Sequence, residues 1–78
     1  MPVIHLTKRS IDAIPPVASG QILYRDATLS GFGLRVGTRS KVFFAEGQVA
    51  RRTVRVTIGK YGPLTPETAR GRALKLLG

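Results

Sequence analysis

Few side chains in this sequence have the types needed for acid–base, metal or covalent chemistry, and their spacing does not assemble them. His5 is the single histidine, and it stands beside the start of the chain, a poor place for a catalytic base or a metal ligand. The four acids stand at positions 12, 26, 46 and 67, with no pair at a spacing that suggests shared proton transfer or metal coordination. Gly31-Phe32-Gly33, followed by Gly37, is glycine-rich, but it opens a run of strand character instead of a helix. It therefore lacks the context of a phosphate-holding loop. Tyr24 and Tyr61 fall near element ends, where structural roles suffice for them. Cysteine is absent, which excludes disulfides and thiolate–metal sites and fits a reducing cytoplasm. The expectation is no catalytic residue, no metal, no cofactor and no small-molecule substrate.

The side chains that share a chemistry are cationic. Thirteen Lys and Arg against four Asp and Glu leave a formal net charge of +9 on 78 residues. A globular chain with that imbalance repels itself unless a polyanion neutralises it. Nucleic acid is the first partner to consider and an anionic membrane surface the second. No apolar run approaches the ~18 residues of a membrane span, and the opening Met-Pro-Val-Ile-His-Leu lacks the regions of a signal peptide. The chain reads as soluble and cytoplasmic, with no membrane partner.

These cations need elements to hold them. A chain this short buries only about 60% of its unfolded surface, so one domain with a thin core is expected over residues 1–78. Leu6 to Ile11 reads as a short helix, capped by Thr7 and stapled by Leu6 against Ile11, and Pro15-Pro16 stops it. Ile22 to Asp26 reads as a short extended piece. Phe32, Leu34 and Val36 alternate with Gly33, Arg35 and Gly37, a period-two pattern with apolar groups on one face. After a turn at Gly37-Thr38-Arg39-Ser40, Lys41 to Glu46 makes a second strand whose three consecutive apolar residues fit either facing. Gly47 to Ala50 is the expected next turn.

The third strand alternates most clearly. Arg52, Val54, Val56 and Ile58 point one way, and Arg51, Thr53, Arg55 and Thr57 the other. Thr65-Pro66-Glu67 has the cap, first-turn proline and first-turn acid of a helix start, followed by an apolar stripe of Ala69, Ala73, Leu76 and Leu77. That stripe requires the apolar sheet face formed by Phe32, Leu34, Val36, Val54, Val56 and Ile58. The fold class expected is α+β: a three-stranded antiparallel sheet packed on a C-terminal helix, with a short N-terminal helix.

A helix on one side leaves the other sheet face free for a ligand. Arg35, Arg39, Lys41, Arg51, Arg52, Arg55 and Lys60 lie on or around that face, with Arg39 and Lys41 at one turn and Arg51 and Arg52 after the other. A two- or three-stranded ribbon fits the major groove of DNA, about 12 Å wide, and presents strand-interior side chains to base edges. Cations at turns then meet flanking phosphates. The small Thr53, Thr57 and Gly33 clear space beside the arginines. Two rivals remain open: an RNA-binding module, for which only Phe43 or Phe44 could stack bases, and a protein-interaction module that uses an open sheet edge.

Several stretches carry a family likeness: Leu6-Thr7, Leu29 to Val36, Ser40-Lys41, Arg51 to Tyr61 and Leu64 to Arg70. With these the chain resembles the amino-terminal arm-type DNA-binding domain of phage and genomic-island integrases, in the tyrosine recombinase family. The likeness covers nearly the whole chain and is most specific from the third strand into the last helix. It implies a sheet lying in the major groove of arm-type attachment sites, anchoring a recombinase whose cutting and rejoining machinery lies further along a longer chain. Other integrase protomers are then further partners. The groove-facing role falls on Arg35, Arg51, Thr53, Arg55 and Thr57, with Lys41, Arg52 and Lys60 on phosphates. The family's nucleophilic tyrosine lies beyond this chain, so neither Tyr24 nor Tyr61 inherits that role. Two departures stand out: the Gly47-Gln48-Val49-Ala50 turn lacks the tight Asn-Gly or Gly-Gly type, and Glu46 occupies a strand position where relatives often carry a base. Glu46 either repels phosphate or reads a cytosine amino group.

Overall fold

The computed structural model describes residues 2–77. They form β1 (Val3–Ile4), α1 (Lys8–Asp12), β2 (Ile22–Asp26), β3 (Phe32–Val36), β4 (Lys41–Val49), β5 (Arg52–Lys60) and α2 (Pro66–Leu77). The α+β class, the sheet, the short first helix and the C-terminal helix are as expected. The strand count is corrected from three to five, in the order β1-β2-β3-β4-β5. Four of the strands run antiparallel in sequence, and β1 pairs parallel with β2. The reason for the miss is local. β1 has only two residues, too few to show a period, and Ile22-Leu23-Tyr24 places three apolar residues in succession, which hides the alternation of β2.

Both helices start as their caps dictate. Thr7 Oγ1 accepts from the Ser10 amide at 3.1 Å while Ser10 Oγ accepts from the Thr7 amide at 2.9 Å, a reciprocal capping box. Leu6 and Ile11, on either side of that cap, are both fully buried. In α2 the Thr65 hydroxyl accepts from the Thr68 amide at 3.2 Å, and Glu67 sits in the first turn.

The core joins both helices to one face of the sheet. Phe32, Leu34 and Val36 of β3 and Phe43 and Ala45 of β4 meet Leu6, Ile11, Ala69 and Ala73. Phe32 stacks on Phe43 at 5.6 Å, and Tyr61 meets Phe43 edge-on at 6.0 Å. The facing of β4, open on sequence, is thereby settled: Phe43 and Ala45 point to the helices and Phe44 points away. A register shift between Phe43 and Phe44 inserts Ile58 as an extra residue on β5, because Phe43 pairs with Gly59 and Phe44 with Thr57.

Two expectations about β5 and its hairpin are corrected. Val54 and Val56 do face the helix side, but each is 40% exposed, and Leu76 is 56% exposed. The reason is that β5 is an edge strand and α2 packs chiefly over β4. The turn also lies further along: Gly47, Gln48 and Val49 continue β4, and Ala50 and Arg51 alone make the connection. Both have positive φ, 50° and 68°, as a two-residue turn matched to strand twist demands.

One buried carboxylate ties the ends of the chain together. Asp26 accepts from the amides of Leu6 and Leu29, both at 2.9 Å, from Thr28 Oγ1 at 2.7 Å, and from Arg70 at 3.2 Å. Arg70 also donates to the Leu6 carbonyl at 2.8 Å and lies over the Phe32 ring at 5.4 Å. Burial alone would raise the Asp26 pKa, but the hydrogen bonds from Leu6, Arg70, Thr28 and Leu29 outweigh it and hold the group at about 2.

Candidate nucleic-acid interface

With α1 and α2 on one side, the opposite face of the sheet is left open, and the strand register decides which side chains share it. Leu23, Arg35, Val42 and Lys60 form one row across β2 to β5. Arg25, Gly33, Phe44 and Thr57 form the next, followed by the pairs Glu46–Arg55 and Gln48–Thr53 toward the hairpin tip.

Five of the nominated residues therefore meet on this face: Arg35, Thr53, Arg55, Thr57 and Lys60. Arg51 stands at the tip of the β4–β5 turn and Arg39 in the β3–β4 connection, both exposed at its margin. Lys41 and Arg52 alternate to the helix side. Lys41 donates to the Ile11 carbonyl at 2.6 Å, so part of its hydrogen-bonding capacity closes the end of α1. Lys41, Lys60, Arg39 and Tyr61 share the walls of a cleft of about 450 Å³ at the end of the sheet opposite the hairpin tip.

The centre of the open face is not the set of isolated donors that alternation suggests. Phe44 is only 1% exposed there. Its ring lies across Gly33, where a Cβ would collide with the ring and approach the Tyr24 carbonyl to 2.6 Å. Gly33 thus makes room for Phe44, which corrects the reading of it as space beside the arginines. Above Phe44 stands Arg55, its guanidinium 5.2 Å from the ring centre.

Glu46 then links two strands' cations. Arg25 donates to Oε1 at 2.6 Å, and Arg55 donates to Oε2 through Nε at 3.0 Å and Nη2 at 2.7 Å. The hydrogen bonds from Arg25 and then Arg55 outweigh burial and hold the Glu46 carboxyl below the ordinary glutamate range. Glu46 is thus occupied on both oxygens within the chain. Arg25 was not nominated, because Ile22–Asp26 was not assigned to the sheet. Once it is paired with β3, Ile22 and Tyr24 fall on the helix side and Leu23 and Arg25 on the open face.

Three of the four carboxylates are consumed by internal partners: Asp12 by Lys8 and Tyr61, Asp26 by Arg70, and Glu46 by Arg25 and Arg55. Arg35, Arg39, Arg51, Arg52 and Lys60 have no carboxylate partner among the described residues. The surface around the open face therefore carries uncompensated positive charge over a buried aromatic floor. Among the described residues, no helix is long and apolar enough to cross a membrane. A family model described as an arm DNA-binding domain matches residues 6–78. No curated protein and no solved structure matches the chain.

Proposed function

The chain belongs to the arm DNA-binding domain family, the kind of domain found at integrase amino-termini, and from that premise we propose that its open sheet face lies in the major groove of double-stranded DNA. The observation that carries this reading is the register, which gathers Arg35, Thr53, Arg55, Thr57 and Lys60 on one uncovered face. The ribbon of β4 and β5 is narrow enough to enter a groove about 12 Å wide. Arg35, Thr53, Arg55 and Thr57 then face base edges, and Arg51 enters from the hairpin tip. Arg39, Lys41, Arg52 and Lys60 meet the flanking phosphates.

In this reading the chain anchors a tyrosine site-specific recombinase at arm-type attachment sites. It is one piece of a longer integrase, beside other protomers on cytoplasmic DNA, with the strand-cutting residues elsewhere. The family resemblance supports each of these steps. Single-stranded RNA is disfavoured by the aromatics: Phe43 lies in the helix-side core and Phe44 beneath Arg55, so neither offers a stacking platform. Protein pairing keeps one observation in its favour, since β5 is an open edge with Val54 and Val56 part-exposed beside it. Association by that route would be insensitive to salt.

Two substitutions that change charge equally on opposite sides test the facing. Thr57 and Thr68 are both exposed, one on the open face and one on α2. Thr57→Glu should weaken binding to duplex DNA roughly tenfold or more, because it sets a carboxylate against the groove. Thr68→Glu should bind within about threefold of the unmodified chain, its charge lying far from DNA in a helix's first turn. Equal losses would move the contact off the sheet.

A further inference from the structure

We propose that Glu46 is a specificity-determining residue, which fixes Arg55 by one edge of its guanidinium so that the remaining edge reads a guanine. The inference rests on the DNA-binding reading above. An arginine carries five N–H donors in a planar fork. Glu46 Oε2 takes the Nε–H and one Nη2–H of Arg55, the lateral edge of that fork. Two Nη1–H groups and the second Nη2–H stay free, and one from each nitrogen forms the terminal edge that matches the N7 and O6 acceptors of guanine. The Arg55 guanidinium also stands over the Phe44 ring at 5.2 Å, so the side chain is held from a second side.

Glu46 acts a second time through charge. A face bearing Arg25 and Arg55 without it would hold two mobile cations that any phosphate attracts. With Glu46 bridging them at 2.6 and 2.7 Å, the three groups sum to a single positive charge. Indiscriminate phosphate binding is lowered while the free edge of Arg55 keeps its full capacity for a base. Arg25 contributes as the counterweight: it occupies Oε1, so the carboxylate cannot swing away from Arg55 without breaking a second ion pair.

The other charges near Glu46 leave the assignment intact. Among the described residues, the charged groups paired with it are Arg25 and Arg55; its amide donates to the Gly31 carbonyl, and Phe44 and Gln48 flank it on the same face of β4, neither of which carries charge. Glu46 is a positioning residue, since it touches the reading arginine and not the DNA.

The test compares the unmodified chain with Glu46→Gln and Glu46→Asp, each selecting from a pool of randomised duplex DNA and each titrated against one random duplex over a salt series. The unmodified chain should enrich sites with a guanine whose preference disappears in Arg55→Ala. Glu46→Gln should discriminate against a substituted base at that position roughly tenfold less, bind the random duplex more tightly, and steepen its salt slope by about one. Glu46→Asp keeps the charge but shortens the reach, and it should lose the guanine preference with an unchanged salt slope. In the unmodified chain, the Arg55 Nε proton should give a nuclear magnetic resonance signal protected from solvent exchange. Retained guanine preference in both variants, or a rapidly exchanging Arg55 Nε proton, overturns the proposal. Duplex binding without any enriched sequence overturns it while leaving the DNA-binding reading standing. Absence of duplex binding by the unmodified chain overturns both.

Discussion

Arg55 and Lys60 project from one face of one strand, yet their chemistry fits them to different tasks in the proposed complex. Arg55 offers a planar, anchored fork, whereas the Lys60 ammonium is a point charge in a row with Arg35. Arg55→Ala should cost cognate binding roughly 1–3 kcal/mol and non-specific binding less. Equal losses on both DNAs would remove Arg55 from base reading. Lys60→Ala should lower affinity for every sequence alike and reduce the salt slope by about one. Away from the open sheet face, Asp26 contributes to the response to acid. Its pKa is lowered from 3.8 to about 2, so its contribution is complete above the ordinary value and is lost as pH falls through about 2. That contribution is about 2 kcal/mol. Asp26→Asn should flatten this part of the pH dependence, measured as denaturation midpoints between pH 6 and 2. It should also cost about 3 kcal/mol at neutral pH, because Arg70 loses its buried partner. At this scale the shared facing of Arg35, Thr53, Arg55 and Thr57 was legible from alternation alone. The roles of Glu46 and Asp26 were not, because each depends on partners twenty or more residues away or on a neighbouring strand.

The elements carry tension at two places, and both make predictions. The β4–β5 turn holds Ala50 and Arg51 at positive φ, a conformation that costs a non-glycine residue roughly 1–2 kcal/mol. Ala50→Asn with Arg51→Gly supplies the residues this turn favours, so the double variant should melt higher by several degrees. It should also bind DNA more weakly, because the cation at the tip is gone. A higher melting temperature with undiminished DNA affinity would remove Arg51 from the interface. In α2, Gly71 has open space where a Cβ would stand. No packing contact explains it, and Gly71→Ala should stabilise the fold by roughly 1 kcal/mol without changing DNA binding. The helices and the strands β3 and β5 were readable because caps and alternation are local signals. The turn was misplaced because Gly47 looks like a turn residue while its φ is ordinary, and the positive φ falls on Ala50 and Arg51, which carry no such signature. The added strands β1 and β2 form through pairing that no short window reveals.

The whole molecule behaves as a cation with one side reserved. Its formal charge of +9 is spread over the surface, but internal ion pairs absorb Lys8, Arg25, Arg55 and Arg70. The four cations assigned to phosphates, Arg39, Lys41, Arg52 and Lys60, would give a slope of log affinity against log salt of about −3 to −4. Duplex DNA should show this slope and single-stranded RNA weaker binding, since no aromatic stacks on it. Composition made a polyanion partner legible from the outset, and strand alternation with the apolar stripe of the last helix pointed to the open face; the packing of Ala69, Ala73 and Ile11 covers the other side. The most direct test of that face is a nuclear magnetic resonance titration of the isotopically labelled chain with a random duplex, following the arginine Nε protons. Shifts at Arg35 and Arg55, with Arg72 on α2 unmoved, are expected if the open sheet face meets DNA. Shifts confined to Arg72, with Arg35 and Arg55 silent, would put the DNA on the helix side and contradict the assignment.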